Sequence, residues 1–135
     1  MTRSTTGLGG FHHVALTVRD VDVSARWYAD VFGFVELFRE DSPERRAVVM
    51  AWPDGAFGVG LVEHVPSEGG RFDPRRIGLD HVGFTLGSRE GLDEWVERLS
   101  AESVDHSGVI DAPRGAILNL KDPDGIALAL FWDRA

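Results

Sequence analysis

The chain has 135 residues, of which 43% are hydrophobic and 27% charged, a size and balance typical of one globular domain with its own core. The 22 acidic and 14 basic residues give a formal net charge of −8, which argues against nucleic acid as a partner. No apolar run approaches the roughly 18 residues of a membrane span, and the absence of cysteine excludes disulfides and thiolate metal sites. The sequence therefore predicts no membrane partner.

The first half of the chain begins with a tail, a strand and a helix. Residues 1–10 carry no secretory signal, so we expect a flexible tail and a cytoplasmic protein. Residues 11–18 (FHHVALTV) alternate as a strand does, and Asp20 or Asp22 then offers a side-chain oxygen to cap a helix. Gly33 supplies the stop signal of that helix. Its apolar face is predicted to carry Val23, Trp27 and Val31, with Ala25 and Tyr28 as further candidates.

Three strands complete the first half, and a second unit of the same kind follows. The strands are predicted at 34–40, 46–52 and 56–63. Residues 65–78 are rich in Pro, Gly and charge without periodicity, which is typical of a connector. In the second unit, a strand at 79–86, a helix capped by Ser88 and strands near 104–110, 115–121 and 126–132 are expected. We therefore predict two βαβββ modules, at 11–64 and 79–135.

The two modules are related in sequence. A shift of 68 residues brings HHVALTVRD into register with DHVGFTLGS. The pairs that then coincide include His13 with His81, Thr17 with Thr85, and Trp27 with Trp95. The two tryptophans are expected to anchor each helix onto its own sheet. An internal repeat of this kind indicates that equivalent positions face each other across a pseudo-twofold axis.

The paired strands, the Trp-Tyr helix that closes with VFGF, and the final KDPDGIALALFW resemble the vicinal oxygen chelate superfamily. That superfamily includes glyoxalase I, bleomycin-resistance proteins, fosfomycin-resistance proteins and extradiol dioxygenases, and the resemblance covers roughly residues 11–132. It implies an α+β fold in which two tandem βαβββ modules form a cupped, partly open mixed β-barrel. It also implies that a homodimer partner often completes or buttresses the barrel.

The resemblance further implies a divalent metal held by residues on the first and fourth strands of each module. The first-strand positions are His13 and His81, whereas the fourth-strand carboxylate positions fall at Leu61 and Ala129, which are both apolar. Because catalytic metal sites need about three protein ligands or more, we expect that no cofactor is required. In the alternative, Zn, Fe, Mn or Ni is held by the two histidines with Glu63 as a displaced ligand, in a lyase, isomerase or dioxygenase.

A ligand site is expected in the cleft between the modules. Its candidate lining residues are Trp52, Leu61, Glu63, Phe57, Phe84, Ala129 and Phe131. His13 and His81 are candidate catalytic residues, as general bases or metal ligands, while His12 and Asp80 are out of phase and should face outward. The connector cations Arg71, Arg75 and Arg76 form either a solvated face or a contact for an anionic ligand or partner.

Two classes of function remain open. One is a binding protein that sequesters a small organic molecule between the two subunits of a homodimer, as the bleomycin-resistance branch implies. The other is an enzyme that acts on a small carbonyl, epoxide or aromatic compound. Loss of both carboxylates favours the first class, or an acid–base enzyme that works without metal.

Overall fold

The computed structural model describes residues 6–55 and 58–135, and in these it contains two helices and eight strands. The first module consists of β1 (Val14–Thr17), α1 (Val21–Phe32), β2 (Val35–Asp41), β3 (Arg45–Ala51) and β4 (Gly58–His64). The second consists of β5 (Val82–Thr85), α2 (Arg89–Ala101), β6 (His106–Ala112), β7 (Gly115–Lys121) and β8 (Ala127–Asp133). The predicted βαβββ order is therefore confirmed in both modules.

Each module contributes one four-stranded mixed sheet. The strand orders are β1-β4-β3-β2 and β5-β8-β7-β6, and in each sheet the first strand runs parallel to the fourth while the other pairs are antiparallel. The sheets remain separate and open, as the prediction of a cupped, partly open α+β fold requires. Neither helix in residues 6–55 and 58–135 is long and apolar enough to cross a membrane.

The start and end of α1 follow from local chemistry. The side chain of Asp20 accepts hydrogen bonds from the backbone N–H groups of Asp22 and Val23, so Asp20 is the N-cap. Gly33 ends the helix with φ at 77°, a left-handed conformation that glycine adopts at little cost. In α2 the cap is Ser88, whose side chain accepts from the N–H of Gly91.

The buried face of α1 agrees with the predicted one at Tyr28 and Val31 and differs from it elsewhere. Val23 is 50% exposed, while the residues that face the core are Val21, Ser24, Tyr28 and Val31. The apolar periodicity was misleading because two polar side chains on this face have partners in the second module. The Tyr28 hydroxyl donates to Asp122 Oδ2 at 2.9 Å, and the Ser24 hydroxyl lies 3.5 Å from Asp124 Oδ2. A buried hydroxyl with a partner avoids the cost of desolvation, so it can replace an apolar residue.

One core cluster extends across both modules. Phe32 at the end of α1 lies with its ring centroid 5.2 Å from Phe84 on β5 and 5.3 Å from Trp95 on α2. Phe34 and Trp52 add a further contact with centroids 4.6 Å apart. Trp95, expected to anchor α2 on its own sheet, therefore also joins the two modules. This shared core fixes the two sheets relative to each other.

Candidate ligand-binding site

The first sheet has one face under α1 and one face turned away from it. Leu16, Val48 and Leu61 stand side by side across β1, β4 and β3, and each is 3% exposed or less. Because side chains alternate along a strand, the neighbouring row points to the opposite side. That row contains Ala15, Val49 and Gly60. We call the side that bears this row the first open face.

A cavity of about 540 Å³ lies on the first open face, and we call it the first cup. Small side chains form its floor, namely Ala15, Ala47, Val49, Gly58 and Gly60. Its rim carries the apolar residues Phe11, Leu37 and Phe38 and the polar residues His12, His13, Glu40 and Arg45. The cup is therefore an apolar depression with two imidazoles beside it.

Glycines at alternate positions of β4 create this depression. A Cβ atom at Gly58 would lie 3.5 Å from His13 Cβ, and one at Gly60 would lie 3.3 Å from Ala15 Cβ. The missing side chains thus leave the floor flat and let residues 13–15 lie close to β4. Sequence reasoning missed this site, although the Gly58-Val59-Gly60 pattern in a strand is a known sign of a close approach by a ligand or by another backbone.

A bulge in β2 builds part of the rim. The pairing of β2 with β3 shifts by one residue between Glu36 and Phe38, so Leu37 has no opposite partner. Leu37 and Phe38 are each 54% exposed as a result, although both are large and apolar. Phe11, on the segment that leads into β1, is 84% exposed.

Two histidines meet at the first cup. The Nδ1 atoms of His12 and His13 are 2.7 Å apart, so one imidazole donates a hydrogen bond and the other accepts it. His12 was expected to face outward, but it lines the cup together with His13. Strand alternation does not apply here, because β1 begins only at Val14. The contact through Nδ1 leaves the Nε2 atom of each ring for a ligand.

The second sheet carries the equivalent histidine in a different setting. His81 Nδ1 lies 2.7 Å from Asp80 Oδ1, and the His81 ring centroid lies 6.1 Å from that of Phe131. Asp80 faces outward as expected, with its side chain 75% exposed, and its carboxylate also orients the imidazole. The Phe131 ring covers Gly83, where a Cβ atom would come within 2.9 Å of the ring. We call this side, which bears His81, Gly83, Ala129 and Phe131, the second open face.

Strand register corrects the equivalence between the fourth strands. Val14 pairs with Val59, and the equivalent Val82 pairs with Leu128, so the counterpart of Ala129 is Gly60 and not Leu61. The repeat spacing is thus 69 residues on the fourth strand, although it is 68 on the first. The Leu61 side chain is fully buried on the α1 side, although the residue is among those that line the first cup. Neither Gly60 nor Ala129 offers a donor atom to a metal.

Glu63 does not supply the missing carboxylate. Its Oε1 atom accepts a hydrogen bond of 2.9 Å from the backbone N–H of Val21 and lies 3.7 Å from Arg46 Nη1. Glu63 therefore accepts a hydrogen bond from the start of α1, on the face opposite His13, and these contacts argue against its predicted role as a displaced metal ligand. In residues 6–55 and 58–135, no three His, Asp or Glu side chains lie together in a way that could hold a metal ion. The metal that the family implies does not fit these residues.

The aromatic candidates divide into three groups. Phe84 is 7% exposed and packs with Phe34 and Trp52 in the shared core, so neither Phe84 nor Trp52 lines the first cup. Phe131 lies on the second open face beside His81, as described above. Phe57 falls outside the described residues. The first cup contains His13 without His81, so within one chain it is not a cleft that joins the two histidines.

Two open sheets in tandem βαβββ modules, each with a histidine at the start of its first strand, define the architecture of the vicinal oxygen chelate class. A family model of the Glyoxalase/Bleomycin resistance protein/Dioxygenase superfamily matches residues 10–130. The chain belongs to this superfamily.

Solved structures agree with this assignment. A glyoxylase/bleomycin resistance protein/dioxygenase domain from Frankia sp. EAN1pec is 36% identical, covers 95% of this chain and 94% of its own, and superposes with a TM-score of 0.87. A glyoxalase family protein from Enterococcus faecalis is 18% identical, with 91% and 97% covered and a TM-score of 0.77. No curated protein matches the chain.

A third neighbour is a point mutant of the fosfomycin resistance protein FosX from Listeria monocytogenes, complexed with Mn(II) and 1S,2S-dihydroxypropylphosphonic acid. It is 18% identical, with 94% of each chain covered and a TM-score of 0.72. At this identity the likeness concerns the fold alone.

Proposed function

We propose that this protein binds a small organic molecule in the first cup, as a homodimer and without a metal site of the family type. The observation that carries the proposal is the cup itself. A cavity of about 540 Å³ has the size of a small-molecule site, and its apolar floor with a few convergent polar groups is typical of such sites.

The lining indicates the chemistry of the ligand. The flat floor beside Ala15 and Gly60 suits a planar apolar group, and Phe11 and Phe38 at the rim suit an aromatic ring. His12 and His13 provide hydrogen-bonding nitrogens at one end of the cup. A planar, amphipathic molecule with one hydrogen-bonding end therefore fits best. The net charge of −8 favours a neutral or cationic molecule over an anionic one at this site.

A second copy of the chain is the partner that we propose for the rim. Phe11, Leu37 and Phe38 expose a contiguous apolar edge to water, which is a common property of interaction surfaces. The first cup contains His13 alone, and a second copy would bring its own second open face, with His81 and Phe131, to the same ligand. Such a dimer would place the two related histidine faces opposite each other, in keeping with the homodimers common in this superfamily.

The proposal that no metal is required rests on the donor set. Even across a dimer, the four positions that the family uses for metal ligands supply only two imidazoles, from His13 and His81, because the fourth-strand positions are Gly60 and Ala129. Two neutral imidazoles without a carboxylate fall short of the usual three or more ligands. Metal analysis of protein purified without chelator tests this point, because a stoichiometric transition metal that is lost in His13→Ala would contradict it.

A second candidate function is acid–base catalysis without metal, and one contact favours it. Asp80 accepts from the Nδ1–H of His81 at 2.7 Å, an arrangement that fixes the tautomer and leaves Nε2 as a proton acceptor. The Phe131 ring beside His81 would support a flat substrate. The reaction class is proton abstraction from a small carbonyl or aromatic compound, or acid–base opening of an epoxide.

A ligand screen separates these outcomes. Thermal-shift measurements with neutral and cationic aromatic compounds should yield ligands whose stabilisation is lost in His13→Ala and kept in His64→Ala, a matched control at an exposed histidine outside the cup. Turnover of those ligands that disappears in His81→Ala would establish the enzyme, and binding without turnover would establish the binding protein. Ligands that stabilise His13→Ala as well as the wild type would overturn the location in the first cup.

A further inference from the structure

We propose that the junction between the modules contains a second binding site, which takes a small oxyanion such as a carboxylate, phosphate or phosphonate group. A cavity of about 380 Å³ lies there, bounded by β1, the connector and the turn that precedes β8. Its lining includes Thr17, Arg19, Ser67, Arg71, Phe72 and Arg76, with Asp124 from the second module. This site does not depend on the function proposed for the first cup.

The charge of this cavity is opposite to that of the whole chain. Three arginines and one aspartate line it, although the chain as a whole carries a net charge of −8. Concentrating positive charge in a concave site raises the local potential and attracts anions. Guanidinium groups suit this role because their N–H donors match the two oxygens of a carboxylate or phosphate.

Asp124 does not neutralise all three arginines, because its carboxylate already accepts hydrogen bonds from groups in the wall of the cavity. Its Oδ1 atom accepts from the backbone N–H and from Nε of Arg19, each at 3.2 Å. Its Oδ2 atom lies 3.5 Å from the Ser24 hydroxyl, and the side chain is only 14% exposed. Arg19 and Asp124 therefore form a fixed pair, and two further guanidinium groups remain.

Arg71 lies in contact with the turn that precedes β8. One of its terminal nitrogens lies 3.7 Å from the place where a Cβ atom of Gly125 would stand, and Gly125 has φ at 80°. The guanidinium thus lies close over the turn between β7 and β8. In residues 6–55 and 58–135, neither Arg71 nor Arg76 forms an ion pair with a carboxylate.

The neighbouring arginine of the connector shows the contrast. Arg75 donates to Asp73 from Nε at 3.1 Å and from Nη2 at 3.0 Å, so its charge is paired. Its side chain is 89% exposed and does not line the cavity. Asp73 thus pairs with Arg75, while Arg76 lines the cavity and acts on the Asp73 carboxyl only at longer range.

Titration with inorganic phosphate at constant ionic strength tests the proposal. Isothermal titration calorimetry should detect phosphate binding to the wild type, and each of Arg71→Ala and Arg76→Ala should weaken it by about tenfold, the typical value of one charge-assisted hydrogen bond. Arg75→Ala, which removes the same charge from the same connector, should bind phosphate as the wild type does. A parallel titration with acetate shows whether one negative charge suffices.

The outcomes are distinct. Absence of phosphate and acetate binding in the folded wild type, or an equal loss in Arg75→Ala and Arg71→Ala, would overturn the site, since the second result would mean that only net charge matters. Circular dichroism of each variant checks that it is folded. Because the first cup lacks these arginines, phosphate binding that survives in His13→Ala separates this site from the proposed ligand site.

Discussion

The two open faces place different side chains at equivalent positions of one scaffold. Where the first face has Ala47 and Val62 opposite each other across β3 and β4, the second has Ile117 and Phe131 across β7 and β8. The small pair leaves the first cup empty, whereas the Phe131 ring covers Gly83 beside His81. The equivalent residues of the two faces therefore differ in bulk, and Ile117 and Phe131 line a separate depression of about 690 Å³ on the second face.

The turns before the last strand of each module also have different residues at an equivalent position. The first module has Trp52 ahead of Pro-Asp-Gly and the second has Asp122. Trp52 packs on Phe34 in the core, while Asp122 accepts from the N–H groups of Asp124 and Ile126 and from the Tyr28 hydroxyl. The second turn thus holds the helix of the first module by a buried polar contact.

The largest effect on stability is expected from removal of this contact. Asp122→Ala leaves the Tyr28 hydroxyl and the Ile126 N–H buried without their partner, and should lower the free energy of unfolding by about 3 kcal/mol. Urea denaturation measures the change. Tyr28→Phe, which removes one hydroxyl and keeps the turn, should cost about 1 kcal/mol. Equal costs for the two variants would show that the turn itself contributes nothing.

The next effect concerns the first cup. Giving it the bulk of the second face, by Ala47→Ile with Val62→Phe, should fill the cavity and weaken binding of the neutral fluorescent probe N-phenyl-1-naphthylamine by about tenfold or more, since about 1.4 kcal/mol of apolar burial is lost. Fluorescence titration gives the affinity. Val35→Phe, on β2 but outside the cup, adds comparable bulk and should leave the affinity unchanged.

The sequence was sufficient to predict the modules but not the site. Strand alternation, Asp20 or Asp22 and Ser88 as caps, and Gly33 as a stop are local signals, and together with the 68-residue repeat they predicted the element order correctly. The first cup depends instead on register, because the repeat spacing is 69 residues on the fourth strand, which exchanges Leu61 for Gly60. A shift of one residue moves every side chain to the other face of a sheet.

The partners of buried polar groups were the second feature that could not be predicted from the sequence. Glu63 has the residue type and the position of a ligand, but its carboxylate accepts from the start of α1. Ser24 and Tyr28 interrupt an apolar face only because their partners lie about a hundred residues further along the chain. Periodicity reports one element at a time and carries no information on such distant partners.

A smaller effect is expected at the second face. In Gly83→Ala the new methyl group would lie 2.9 Å from the Phe131 ring, so the ring must shift at a cost of about 1 kcal/mol. Urea denaturation measures the cost. Because the His81 and Phe131 ring centroids are 6.1 Å apart, the NMR chemical shifts of His81 report movement of the Phe131 ring. Phe131→Val should restore the stability of Gly83→Ala by removing the clash. If the two changes are additive, the ring does not rest on Gly83 in solution.

The smallest effect is a pH dependence that belongs to the second turn. Burial raises the pKa of Asp122 above the ordinary carboxyl value of 3.8, although the N–H of Ile126 and the Tyr28 hydroxyl oppose the shift. The folded state therefore keeps this proton to a higher pH than the unfolded state, and the free energy of unfolding contributed by Asp122 falls as the pH rises from 3.8 to the folded pKa. Asp22 and Asp73, whose pKa values are lowered by arginines, act in the opposite direction, so the total alone does not reveal the effect.

Asp122→Asn isolates the contribution of Asp122 to this pH dependence, because the amide keeps an acceptor for the turn and does not titrate. The difference in unfolding free energy between Asp122→Asn and the wild type should increase with pH over the interval above 3.8 and become constant beyond it. Urea denaturation between acidic and neutral pH at fixed ionic strength provides the measurement. A difference that stays constant would mean that water or the hydrogen bonds of the turn compensate for burial, and the polar contact between the modules would then cost nothing to keep ionised.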